Sequence, residues 1–102
     1  MFAGPVKQLE IITLTVRRLI DEISRQLAHR ESGVMLLELE LKRVDAPVIH
    51  EIFRMSRPTR DIEHLRALIE PRVERINLGF GVEEIFLTAR RVAILRRAAD
   101  NQ

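Results

Sequence analysis

Apolar residues recur at three- and four-residue steps through Val6, Leu9, Ile12, Val16, Leu19, Ile20, Ile23 and Leu27, the period of a helix buried along one stripe. Pro5 suits the first helical turn, and Glu10, Arg17, Arg18, Asp21, Glu22 and Arg25 fall on the opposite face. Glu31-Ser32-Gly33 offers a stop that tolerates left-handed angles. The spacing predicts a helix of about seven turns. From Val34 to Arg43 the period drops to two: Leu37, Leu39 and Leu41 alternate with Glu38, Glu40 and Lys42, as in a strand with one face in the core and one in water. Val44-Asp45-Ala46-Pro47 reads as a turn, and Val48 to Met55 alternates again, pairing with the preceding strand as an antiparallel hairpin. Ile49, Glu51, Phe53 and Met55 oppose Val48, His50, Ile52 and Arg54, and the pattern leaves open which set is buried.

The hairpin runs into Arg54-Met55-Ser56-Arg57-Pro58-Thr59-Arg60-Asp61. Pro58 biases Arg57 away from helical angles, and Thr59 or Asp61 can supply a side-chain oxygen to the first free amides of a following helix. That helix places Ile62, Leu65, Leu68, Ile69, Val73 and Ile76 on one side, with Pro71 set to kink or divide it near Ile69 and Glu70. Leu78-Gly79-Phe80-Gly81-Val82 is a flexible exit, and Glu83 to Ala89 reads as a last strand. Residues 1–4 resemble a strand stub or an entry loop, and residues 90–102 form a basic tail or a short amphipathic helix. The order β-α-β-β-α-β predicts an α+β fold of split βαβ type: an antiparallel-rich four-stranded sheet with two helices on one face and the other face open. Residues 1–89 make up the domain.

The length of 102 residues bounds this to one domain with one core. The absence of cysteine excludes disulfides and thiolate chemistry. No apolar run approaches the roughly 20 residues that span a bilayer, and no basic stretch followed by an apolar core opens the chain; a cytoplasmic location is expected. His29, His50 and His64 lie apart on different elements, without metal-ligand spacing. Gly79-Phe80-Gly81 precedes a strand rather than a helix and is no phosphate loop. Glu38 and Glu40 share a strand face and can attract a cation, but no third acidic residue accompanies them in sequence. Ser24, Ser32 and Ser56 have no neighbouring histidine. No catalytic residue, metal site or cofactor is expected.

The net charge of +2 is small, yet Lys7 and Lys42 are the only lysines among 17 basic residues. Arginine favours bidentate contact with phosphate or carboxylate. Arg54, Arg57 and Arg60 precede any carboxylate at the strand-to-helix junction, where exposed helix-start amides also suit a phosphate.

Arg57-Pro58-Thr59-Arg60-Asp61 followed by His64-Leu65, and Leu78-Gly79-Phe80-Gly81-Val82-Glu83 beyond the next helix, resemble the little-finger (polymerase-associated) domain of Y-family translesion DNA polymerases, and most the ImuB-type branch. The likeness runs from Pro5 to Ala89. It implies a fragment of a DNA-directed DNA polymerase, a nucleotidyltransferase of DNA repair and mutagenesis, whose metal-binding carboxylates lie outside this domain. ImuB-type members are similar to polymerases that have lost those carboxylates and act as adaptors for a sliding clamp and other mutagenesis proteins. No clamp-binding peptide is evident in Arg90 to Gln102.

The resemblance implies that the open sheet face lies along double-stranded primer-template DNA and holds phosphates. Carried onto this chain, the DNA-binding candidates are Lys42, Arg43, Arg54, Arg57 and Arg60, positioning the duplex without reading its sequence. Glu38 and Glu40 on or near that face oppose this. The alternative is a protein-interaction or self-associating module that uses the open face or an edge strand; a small-ligand regulatory domain of the same layout is a third, weaker option because no glycine-rich ligand loop is visible.

Overall fold

The computed structural model describes residues 2–96, in the order α1 (Leu9–His29), β1 (Ser32–Arg43), β2 (Ile49–Thr59), α2 (Ile62–Val73) and β3 (Val82–Ile94). The alternation in β1 sets the layers. Leu37, Leu39 and Leu41 are fully buried, while Glu38 and Glu40 between them face the other way. On β2 the buried set proves to be Phe53 and Met55, with Ile49 half-buried, so His50, Ile52 and Arg54 lie on the side away from the helices. Helix α1 contributes Ile12, Val16, Ile20, Ile23 and Leu27 to the same core, and α2 contributes Leu65, Ile69 and Val73. Both helices therefore cover one face of the sheet, and no protein layer covers the other among the described residues.

The four-stranded split βαβ sheet expected from the sequence is not formed. The sheet has three strands, all antiparallel, in the order β2-β1-β3. The segment expected as a strand stub forms no strand: the Phe2 amide donates to the Glu83 carbonyl at 3.4 Å, and past Pro5 an isolated bridge forms, in which Val6 and Val82 exchange backbone bonds of 3.0 and 2.8 Å. Pro5 interrupts a regular ladder there: it has no amide to donate, and it lies so close to Gly81 that a Cβ at Gly81 would come within 2.6 Å of the proline Cβ. Gly81 also holds φ +123°, which side chains disfavour. Tied to β3 in this way, the chain is extended as far as Gln8, so α1 begins at Leu9 and not at Pro5.

Other boundaries move for equally local reasons. The left-handed residue after α1 is Glu31 (φ +50°), not Gly33. Gly33 lies inside β1, where a Cβ would meet the Thr59 amide nitrogen at 2.6 Å and the Pro58 carbonyl carbon at 2.8 Å. The strands approach this closely because β2 is irregular there. Val34 pairs with Thr59 and Leu36 with Arg54, so Met55–Pro58 stand opposite the single residue Met35. This excess absorbs Pro58 within β2, at the outer edge of the sheet, where a missing amide is tolerated. Pro71 does not divide α2 midway. It falls in the last turn, and the helix stops two residues later at Val73. Strand β3 continues past Ala89 to Ile94, so residues 90–94 of the expected tail belong to the sheet, while 97–102 lie outside the described residues.

Side-chain ties join the layers. Arg17 forms a bidentate bridge from α1 to Glu70 of α2, at 2.7 and 2.9 Å. Arg72 of α2 pairs with Glu51 of β2 and lies 5.1 Å from the centre of the Phe53 ring. No described helix is long and apolar enough to cross a membrane.

Two substitutions test this packing by urea denaturation. Leu39→Ala, in the centre of the middle strand, is expected to cost about 2–5 kcal/mol. Gly33→Ala is expected to cost about 1–3 kcal/mol, because the added methyl group meets the backbone of Pro58 and Thr59 as well as the Leu95 side chain, and the backbone cannot step aside. A Gly33→Ala variant as stable as the parent would show that β1 and β2 can separate there without loss.

Candidate nucleic-acid interface

Cross-strand register places the side chains of the open face in rows. Lys42 of β1 stands beside Glu84 of β3. The next row is His50, Glu40 and Phe86, then Ile52, Glu38 and Thr88, then Arg54, Leu36 and Arg91. Arg90 is an extra residue in β3, since Leu36 pairs with Arg91 and Leu37 with Ala89. The face is thus basic at the Arg54–Arg91 end, carries carboxylates in its centre, and has exposed apolar groups at Ile52 and Phe86.

The five expected DNA contacts fare differently. Lys42 pairs with Glu84 at 3.7 Å. Arg43 is engaged by backbone: its guanidinium donates to the Pro47 carbonyl and, at 2.9 Å, to the Asn77 carbonyl. It ties the β1–β2 turn, where Asp45 adopts φ +49°, to the loop before β3. Arg60 donates to the carbonyls of Ser32 at 3.0 Å and Leu95 at 2.7 Å, while its own carbonyl accepts from the Ser24 hydroxyl. It fastens the start of β1, the end of β3 and the strand-to-helix junction to one another, and α1 is joined through Ser24. Arg54 and Arg57 alone of the five have no hydrogen-bond or ion-pair partner among the described residues, and Arg91 shares that state.

The junction itself is ordered by Thr59, whose hydroxyl oxygen accepts from the Asp61 amide at 3.2 Å. Asp61 is the N-cap residue of α2 and makes no capping bond with its side chain. Its carboxylate stands at the helix start, so the exposed amides are a poorer phosphate site than the sequence implied. A shallow depression of about 310 Å³ opens at the irregular part of β2, with Arg57, Thr59, Asp61 and His64 on its border. A larger hollow of about 490 Å³ lies elsewhere, between α1 and β3, and includes none of the five.

In the centre of the open face, Glu38 is held on both sides. One carboxylate oxygen accepts from Arg90, with Nε and Nη2 each at 2.6 Å, and the other lies 2.9 Å from His50 Nδ1. The bond from His50, followed by that from Arg90, holds the Glu38 carboxyl below its ordinary pKa. Glu40 lies 3.6 Å from the same His50 nitrogen. The hairpin register thus supplies the third ligating group that spacing in sequence could not show, with ligand atoms of Glu38, Glu40 and His50 all within 4.8 Å. The Arg90 guanidinium on Glu38 already provides the positive charge a cation would bring. Arg90 was missed by sequence reading because its pairing depends on the extra residue in β3. No family model matches this chain, and no curated protein matches it.

Replacing Arg60 by Ala is expected to lower stability by about 1–2 kcal/mol in chemical denaturation, since two half-buried carbonyls lose their donor. Acid provides a second test. The Arg17 hydrogen bond holds the Glu70 carboxyl below its ordinary value, as His50 and Arg90 do for Glu38. A carboxyl whose pKa is lower folded than unfolded stabilises fully above the ordinary carboxylate range, and this contribution is lost as pH falls through the folded value. Melting temperature should therefore fall on acidification below the ordinary carboxylate range, and less steeply in Glu70→Gln.

Proposed function

We propose that this chain is a duplex-DNA-gripping module of little-finger type, belonging to a Y-family translesion polymerase or to an ImuB-type inactive paralogue. It holds phosphates and leaves base sequence unread. The observation that carries the reading is the placement of the uncommitted arginines. Arg54 and Arg91 flank Leu36 in one cross-strand row, Arg57 follows on β2, and none of the three has a partner among the described residues. Arg54 and Arg91, unpaired at one end of the exposed sheet face, with Arg57 further along the β2 edge, suit phosphate oxygens, and the two motif stretches on either side of α2 support the same family. Damage-tolerant synthesis, the sliding clamp and other mutagenesis partners come with the parent protein in this reading, which assigns no catalytic residue or cofactor to the domain itself. The contacts narrow to Arg54 and Arg57, joined by Arg91; Lys42, Arg43 and Arg60 serve the fold and the ion pairs around it.

A second reading, a protein-interaction or self-associating module, draws on Glu38 and Glu40 in the centre of the face and on exposed Ile52 and Phe86. Fluorescence anisotropy with a labelled primer-template duplex across a salt series separates the two. The DNA reading expects weak, sequence-blind binding whose log–log salt slope falls by about one unit for each of Arg54→Ala and Arg57→Ala. Absence of binding at low salt, together with salt-independent dimers in sedimentation, would replace it with the second.

A further inference from the structure

The charge on the open face is arranged so that its most central cation is withheld. Four cations, Lys42, Arg54, Arg90 and Arg91, share the face with three carboxylates, Glu38, Glu40 and Glu84. Lys42 stands against Glu84 at the far end. Arg90 lies between the basic row and the centre and is held by Glu38 alone among the described residues, through two nitrogens on one carboxylate oxygen. The Glu38 side chain is 12% exposed and the Arg90 side chain 51% exposed. The carboxylate is thus set into the face and the guanidinium lies over it, open to solvent. His50 on the second oxygen keeps the carboxylate in place.

We infer that Arg90 is a latent phosphate ligand, and that Glu38 limits the affinity of the domain for nucleic acid by holding Arg90 back. The inference rests on the DNA-binding reading above and names a residue that reading does not use. Its physical basis is competition for one guanidinium. A phosphate approaching the Arg54–Arg91 row meets Arg90 beside it, already bonded to Glu38 in the adjoining row, with the Glu40 carboxylate, near His50, one row further on. Exchanging the Glu38 carboxylate for an amide of the same shape removes one repelling charge and frees one donor fork at once. A purely structural role for the pair predicts the opposite: the amide variant would bind less well because the face is disturbed.

The test compares the whole chain with its Glu38→Gln, Arg90→Ala and doubly substituted forms, by anisotropy on a labelled duplex across a salt series. Thermal melting of each form shows whether it is folded. Glu38→Gln is expected to bind on the order of tenfold more tightly at low salt, with a slope steeper by about one unit. The gain should vanish in the double variant, and Arg90→Ala alone, which leaves the Glu38 carboxylate without its guanidinium, should bind no better than the parent. If Glu40→Gln, which frees no arginine, gives the same steepening, general charge rather than Arg90 is responsible and the inference falls. It also falls if the parent binds duplex and folded Glu38→Gln binds no better. Failure of the parent and of Glu38→Gln alike to bind at low salt would overturn the DNA-binding reading and this inference together.

Discussion

Everything in this fold depends on the alternation through the middle of β1, from Leu37 to Leu41. Because β1 is the middle strand of only three, its leucines must fill the core on one side while its glutamates face solvent on the other. A slip of one residue would exchange the two sets, placing Glu38 and Glu40 under α1. The helices add their apolar stripes to a surface whose register is already fixed. One core therefore suffices for the domain, and the other sheet face is free to carry charge.

That freedom explains why the arginines fall into two populations. Where chain segments converge, unpaired backbone carbonyls must find donors, and a guanidinium reaches several at once. Arg60 serves Ser32 and Leu95, and Arg43 serves Pro47 and Asn77. On the open face nothing converges, so Arg54 and Arg91 have no such carbonyls to serve. The same residue type thus acts as mortar where segments converge and as surface charge on the open face. Composition alone could not separate the two roles.

The sequence made the elements legible wherever one periodicity ran uninterrupted. The α1 stripe, the Leu37-Leu39-Leu41 alternation and the hairpin to β2 follow directly from it. It misled at both ends of the sheet. Residues 1–4 looked like a strand stub or an entry loop because they are short and partly apolar, but the missing amide of Pro5 and the close approach of Gly81 to it limit pairing from the neighbouring segments. Arg90 to Ile94 looked like a tail because the extra residue in β3 breaks the two-residue period there. The basic junction was visible as a cluster, whereas the destination of each guanidinium depends on carbonyls distant in sequence. Likewise, His50 joined Glu38 only through the hairpin register.

The irregular stretch Met55–Pro58 has a consequence for how copies of this protein behave when crowded. Strand β2 forms an outer edge, and a long flat edge is a template on which identical chains stack. Here the template is spoiled over its second half: the backbone departs from even spacing, and Pro58 presents no amide to an incoming strand. Arg54 and Arg57 add like charge that a second copy would have to approach. A residue pattern that allows β2 to accommodate a proline thus also keeps the chain from polymerising through that edge, so that an exposed sheet need not become a fibre.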